Sequence, residues 1–371
     1  MADKDFKVVV LGGYGNFGTI IVNRLCTIAG MQVWVAGRDL AKAERLAARV
    51  GCRAVRLDGN QPDLAERLSE LGTDLLISTA GPFQGQDYRV AQAAIAAGAH
   101  YLDLADAREF ACGIGTLDQA ARQADVLVSS GVSSVPALSA AVIDELLPRF
   151  SRVDSIWHGI SSSEKTPGVS TLAAVLNYCG KPFRQWRDGQ WREVYGWQDL
   201  AAHDFPAPLG RRWLGNCDIP DLELFPARYP GVRNVRFSAG VGLRVTQFGT
   251  WLLSWLVRGG LLRSGVPLAG LLHRGAVLVE SFGDRLSGMF VKLQGRGADG
   301  QPLSLCWELI AHDNHGPNIP CMAAVALARK LAAGNLQQRG AMPCMGLLSV
   351  DEYLAELEGL QIDAGLRPCS I

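Results

Sequence analysis

The chain has no surplus of either charge: 36 basic and 36 acidic residues leave a formal net charge of zero. Binding nucleic acid or an anionic bilayer takes a basic field, so neither is read as the main partner, and a small-molecule substrate is expected. The nine cysteines form no C-x-x-C pair. An odd, scattered count supports neither a disulfide framework nor a metal site built on paired thiolates, and it fits reduced thiols in a cytoplasmic protein. Only His312 and His315 lie close together, with no second motif to complete a metal site. They read as part of a solvated loop, the rival being a place in a cofactor cleft.

Other absences narrow the chemistry. No G-x-S-x-G elbow occurs, and no Gly-Lys-Ser/Thr follows the glycine-rich turn near the N-terminus, which argues against hydrolase and NTPase readings. The longest apolar run, Phe248 to Val257, is too short for a bilayer and is closed by Arg258, so no stable membrane insertion is expected. With Trp251 and Trp255 on one helical face, it reads as a buried or interface helix. The polar start, Met1 to Asp5, leads directly into an apolar run, and no signal peptide is expected.

What is present begins at Val8-Val9-Val10-Leu11, which delivers Gly12, Gly13, Tyr14, Gly15, Asn16, Phe17 and Gly18. This is G-x-G-x-x-G between a β-branched run and a helical stretch, the arrangement that cradles a dinucleotide pyrophosphate. Gly13 is assigned the tight turn, Gly15 the close approach of backbone to phosphate, and Gly18 the close packing of helix on strand. A glycine-rich turn of some other α/β fold is the rival. A second strand follows and ends Ala36-Gly37-Arg38, without the acidic residue that accepts from an NAD ribose. Arg38 offers a planar fork of donors to a 2′-phosphate, which favours NADP(H). The alternative leaves Arg38 solvated and puts Asp39 on the ribose, although Asp39 also suits the N-cap of a helix over 40–50.

Helices and strands keep alternating through residue 135, with strands over 53–57, 74–78, 100–104 and 126–129 and helices over 62–71, 87–97 and 114–123. That rhythm predicts a Rossmann-type doubly wound parallel sheet, an α/β domain over 1–135. From about 151 the pattern turns to longer alternating runs, with turn signals at Asp188-Gly189 and Asp299-Gly300. An α+β domain over 136–315 is expected, mainly antiparallel, for substrate and dimer contact, with 205–230 as a long ordered loop. The segment 316–371 is expected to be helical, built around a helix over 319–333 and packed back on the first domain.

The residues Ser78-Thr79-Ala80-Gly81-Pro82-Phe83, His100-Tyr101-Leu102-Asp103-Leu104 and Gly131-Val132-Ser133-Ser134-Val135-Pro136 together resemble the saccharopine dehydrogenase-like (saccharopine reductase) family. The likeness is to a divergent branch and covers roughly the first 140 residues. It implies NADP(H)-dependent reduction, in the best-known members of an imine formed from an amine and a keto acid. Ser133-Ser134-Val135-Pro136 departs from the Asp-Pro-Gly stretch of true saccharopine reductases, which puts saccharopine itself in doubt as the substrate.

Ligands of doubly wound sheets bind at the carboxyl ends of the strands. The loops there add Asp58, Ala80, Gly81, Pro82 and Phe83 to the cofactor candidates, Phe83 as a wall for the nicotinamide, with a plain turn as the rival for each stretch. An iminium calls for a carboxylate, from Asp103 or Asp106; a carbonyl that gains charge calls for a donor, from Tyr101 or Ser133. Tyr101 reads equally as a sheet residue without chemistry. Glu164 and Lys165 are weaker candidates for a carboxylated substrate. Three functions stay open: NADP(H)-dependent reduction of a C=N bond in an amino or keto acid derivative; C=C reduction on an apolar enoyl substrate, favoured if Trp251, Trp255 and the apolar Leu261 to Leu272 stretch line a cavity rather than a dimer interface; and an NADP(H)-binding sensor or assembly protein without turnover. A homodimer is expected for each.

Overall fold

The computed structural model describes residues 5–162, 176–270, 273–275 and 283–367. Glu164, Lys165, Leu271 and Leu272 lie outside them. The chain divides into two compact units, residues 1–141 with 317–358, and residues 142–316 with 359–371.

In the first unit the apolar runs become β1 (Phe6–Leu11), β2 (Met31–Gly37), β3 (Arg53–Arg56), β4 (Leu75–Ser78), β5 (His100–Asp103) and β6 (Leu127–Ser130). Between them lie α1 (Asn16–Leu25), α2 (Leu40–Val50), α3 (Leu64–Glu70), α4 (Arg89–Ala96), α5 (Arg108–Gly113) and α6 (Asp118–Gln123). Every pairing is parallel, and Val8, Val9 and Val10 are fully buried, as strands covered on both faces require. The helix ends follow local chemistry. Asp39 caps α2 by accepting from the Lys42 amide at 3.1 Å, and Gly51, at φ +76°, ends it in the left-handed conformation.

Past α7 (Ser139–Leu146), the second unit holds β7 (Phe150–Ser162), β8 (Pro182–Arg187), β9 (Gln190–Tyr195), β10 (Ala201–Asp204) and β11 (Arg211–Asn216). It continues through α8 (Asp221–Arg228), β12 (Asn234–Val241), α9 (Arg244–Arg258), β13 (Ser287–Gly297) and β14 (Pro302–Ala311). The sheet is mixed: β12 and β7 run parallel while its other pairs are antiparallel. Asp188 and Gly189, both at positive φ, make the two-residue turn between β8 and β9 that their sequence announces. The stretch 205–230, read as loop, contains β11 and α8. Adjacent arginines open that strand and Pro226 sits inside that helix, so neither shows a clean apolar period. In α9, Leu253 is buried while Val245, Phe248, Leu252 and Trp255 are exposed on one stripe. The helix is therefore not the wholly buried one its composition allows.

The tail is not simply helical. It contributes α10 (Ile319–Ala332), β15 (Gly340–Pro343) and α11 (Val350–Ala355) to the first unit and β16 (Ile362–Arg367) to the second. β15 pairs parallel with β6 and completes a seven-stranded sheet ordered β15-β6-β5-β4-β1-β2-β3, while β16 pairs with β14. Four residues flanked by glycine and proline carry no strand signal of their own; the open edge of β6 makes them a strand. α10 packs along α1, and the Cys321 thiol reaches the Phe17 carbonyl at 3.6 Å. Arg24 holds the end of this segment by donating to the Glu356 carbonyl at 2.7 Å.

Leu327, fully buried on α10, tests whether the tail belongs to the first unit's core. Leu327→Ala is expected to destabilise that unit by about 2–5 kcal/mol, read by urea denaturation with hydrogen exchange at β1. No change in β1 protection would detach the tail from that core.

Candidate nucleotide site

The glycine turn puts a helix end at the tip of a strand. Gly18 makes this approach possible, because a Cβ there would lie 2.3 Å from the Gly12 carbonyl oxygen and 2.7 Å from the Gly13 Cα. The left-handed residue of the turn is Gly12, at φ +78°, and not Gly13. Gly13 is instead confined by crowding, since a Cβ would stand 2.8 Å from the Val10 carbonyl oxygen. Gly15 is the N-cap of α1 and supplies no side-chain acceptor, and the first turn carries no acidic residue. The amides of that turn are left for an anion.

In front of the turn lies a cleft of about 530 Å³ within the first unit, at the carboxyl ends of β1 to β4. Gly12, Tyr14, Gly15, Arg38, Asp58, Ala80 and Gly81 line it. Gly13, Asn16, Phe17 and Gly18 are not among its lining residues; they shape the turn and helix behind it. Pro82 is held in the loop beside it, where Gln86 Nε2 donates to the carbonyls of Ala80 at 3.1 Å and Pro82 at 2.5 Å. Phe83 is not a cleft wall. Its ring is buried with Phe110 and Tyr88, 5.3 Å from the former, because an apolar cluster beneath the loop holds it more favourably than water does.

Two side chains define one end of the cleft. Tyr14 lies against Gly37, where a Cβ would come within 2.4 Å of the ring, and its hydroxyl accepts from the Asp39 amide at 3.1 Å. Asp39 is occupied as a cap and does not line the cleft, whereas Arg38 lines it, is exposed, and has no hydrogen-bond or ion-pair partner among the described residues. Asp58 accepts from the Asn60 amide at 3.0 Å.

Sequence reasoning missed Thr79, Asn60, Gln86 and Arg89, which also line the cleft. Thr79 donates to the Leu11 carbonyl at 3.0 Å, and Arg89 forks onto Asp87, with Nη2 at 2.7 Å from Oδ2. Thr79 stood beside the recognised Ala80-Gly81-Pro82 stretch and was findable. Arg89 opens an ordinary amphipathic helix and carried no signal.

The three catalytic candidates are absent from the cleft lining. Asp103 is fully buried, and one oxygen, Oδ1, accepts from the Ala105 amide at 2.9 Å, Ser130 Oγ at 2.8 Å and the Gly131 amide at 3.1 Å. It clamps the turns that follow β5 and β6, and desolvation pushes its carboxyl up to about 6 against these bonds. Tyr101 lies in the core with its hydroxyl beside Asp103 and Ser78, and burial raises the phenol well above its usual range. Only Ser133 is partly exposed. Asp106 is exposed, accepts from Gln84 Nε2 at 3.3 Å, and is raised by desolvation from the atoms packed around it. His312 and His315 belong to the second unit, bonded to Asp363 Oδ2 at 3.1 Å and the Gln361 amide at 2.9 Å.

Residues 8–129 match the family model described as Saccharopine dehydrogenase NADP binding domain. No curated protein matches the chain by sequence. Among solved structures, the chain is similar to an apo histidine-tagged saccharopine dehydrogenase (L-Glu forming) from Saccharomyces cerevisiae, with a TM-score of 0.70 at 15% identity, over 98% of this chain and 100% of that one. It is also similar to an amine dehydrogenase from Mycobacterium smegmatis, with a TM-score of 0.50 at 12% identity, over 94% of this chain and 96% of that one. At these identities the likeness is one of fold.

Two outcomes check this geometry. Arg38→Ala is expected to weaken NADPH by about 10- to 100-fold, the worth of a charge-assisted hydrogen bond, and NADH by less than about threefold, read by calorimetric titration. The buried Asp103 binds a proton more tightly folded than unfolded, so its contribution to stability is full below about pH 4 and is lost as pH rises to about 6. His100, pushed down to about 4 mainly by burial, acts with the opposite sign in the same window. Comparison with Asp103→Asn at each pH cancels His100, and the wild type is expected to lose about 3 kcal/mol relative to the variant between pH 4 and 7 in urea titrations.

Proposed function

We propose that this chain, whose nucleotide domain is of the saccharopine dehydrogenase-like NADP-binding family, is an NADP(H)-dependent oxidoreductase that reduces a C=N bond in an amino or keto acid derivative. The unpaired Arg38 in a glycine-walled cleft, beside an Asp39 already used as a cap, carries the cofactor part of this reading. Bound NADPH supplies the hydride. The protein's part is to hold the phosphates at α1, the 2′-phosphate at Arg38, and the substrate in a fixed attitude.

The substrate part rests on two features. In the second unit a pocket of about 200 Å³ is lined by Arg211, Arg212, Arg244, Gln247 and Asp284. Arg212, 7% exposed, donates to the Gly242 carbonyl at 2.8 Å and pairs with Asp284. Its Nε, and the Nε2 of the buried Gln247, have no hydrogen-bond partner among the described residues. Buried donors left unmatched, with the exposed Arg244 nearby, favour a carboxylate and disfavour an acyl chain. In the first unit Asp106 offers the exposed carboxylate that stabilises an iminium, a role the buried Asp103 is too enclosed to fill. We assign the exposed stripe Val245, Phe248, Leu252 and Trp255 to a homodimer contact.

The test is NADPH consumption with pairs of 2-oxo acids and amines, against C=C acceptors. Turnover is expected with the carboxylated pairs. Asp106→Asn is expected to lower kcat by about 10- to 100-fold, and Arg212→Met to weaken binding of a 2-oxo acid to the second unit, read by calorimetric titration. Reduction of C=C acceptors alone would replace this reading with the enoyl one, and NADPH binding without any turnover would favour the sensor.

A further inference from the structure

The second unit holds a second cluster of chemistry, away from the arginine pocket. His203 on β10, and Cys306 and Glu308 on β14, bring one imidazole nitrogen, one sulfur and one carboxylate oxygen within 4.8 Å of one another. Cys306 and Glu308 are two apart on one strand and so present the same face, while His203 comes from a strand that does not pair with β14. All three side chains are buried. Around them stand Phe205, Phe290 and Ile310, and the His203 ring is stacked on Phe290 with centroids 3.9 Å apart.

That setting is costly for a bare carboxylate. Glu308 Oε1 lies 2.6 Å from His203 Nε2, but Oε2 is buried and has no hydrogen-bond partner among the described residues. A buried ion pair is compensated only when its remaining lone pairs are satisfied, and here one oxygen is left over beside a thiol. A divalent ion resolves the imbalance. One dipositive ion, one thiolate and one carboxylate sum to zero with a neutral imidazole, so the assembled centre suits an apolar surround.

We propose that His203 Nε2, Cys306 Sγ and a Glu308 carboxylate oxygen bind one divalent transition ion, Zn²⁺ by their ligand chemistry. Tetrahedral zinc with bonds of about 2.0–2.3 Å sets its ligands about 3.3–3.8 Å apart, within the span the three groups occupy. Binding releases two protons to solvent, one from the Cys306 thiol and one from the His203 Nε2 that donates to Glu308, and turns the Glu308 carboxylate off Nε2 onto the ion; no electron is transferred. Three protein ligands leave a fourth position for water or a substrate oxygen. The stacking on Phe290 fixes the imidazole plane, as the orientation of a ligating histidine requires. Composition hid the site because its single cysteine has no paired thiol and its histidine lies about a hundred residues away in sequence.

The experiment uses the full chain, stripped with a chelator and titrated with Zn²⁺ and with Co²⁺. One ion per chain is expected, with a thiolate-to-cobalt charge-transfer band in the near ultraviolet. Cys306→Ser should abolish the band, and Glu308→Gln should weaken Zn²⁺ by at least about 10-fold. NADPH titration of each variant reports on the integrity of the nucleotide unit, and near-ultraviolet circular dichroism on that of the second. A wild type that takes up no Zn²⁺ on equilibrium dialysis, or a cobalt–thiolate band that survives Cys306→Ser in a folded protein, overturns the proposal. Neither result bears on the cofactor assignment, which rests on the other unit.

Discussion

The contact on which the nucleotide unit depends is the close passage of α1 over the end of β1 at Gly18. No Cβ fits between that helix and the Gly12 carbonyl, so any other residue would lift the helix N-terminus from the strand tip. That approach sets the N-terminus of α1 at the strand tip, and beside it Tyr14 lies on Gly37, where a Cβ would come within 2.4 Å of the ring. Gly12 supplies the left-handed turn that makes the approach geometrically closed.

Behind the cleft the fold is held by buried polar groups that act as joints. Asp103 joins the turns after β5 and β6 through three bonds to a single oxygen, while its raised pKa records the desolvation that this role costs. β15 pairs with β6 from more than two hundred positions away in sequence, α10 packs on α1, and Arg24 and Tyr353 anchor this segment, the latter by donating to the Ile319 carbonyl at 2.6 Å. The nucleotide unit is therefore assembled from both ends of the chain. The second unit repeats the pattern with a buried pair, His158 Nε2 and Asp221 Oδ2 at 2.9 Å, between β7 and the start of α8.

Legibility in the sequence followed period and backbone geometry. The parallel strands were readable because burial on both faces makes them continuous apolar runs such as Val8 to Leu11. The Asp188-Gly189 turn was readable because two successive positive φ values select those residues. β15 was not, since its strand character comes from the edge it joins, nor was α8, whose Pro226 breaks the helical signal. Gly12, Gly15, Arg38 and Asp58, named from motif and strand order, line the cleft. Asp103 and Phe83 were assigned chemistry that burial assigns to packing, because sequence places a residue at a strand end without saying which way its side chain turns.

The free Arg38 guanidinium at the edge of the cleft suits a nucleotide bearing a 2′-phosphate. The most direct measurement is a crystal structure of the protein grown with NADP⁺. The pyrophosphate is expected on the α1 amides and the 2′-phosphate within hydrogen-bond distance of the Arg38 guanidinium, with Asp39 still capping α2. A nucleotide whose ribose hydroxyls are held by Asp39, with Arg38 turned to solvent, would contradict it.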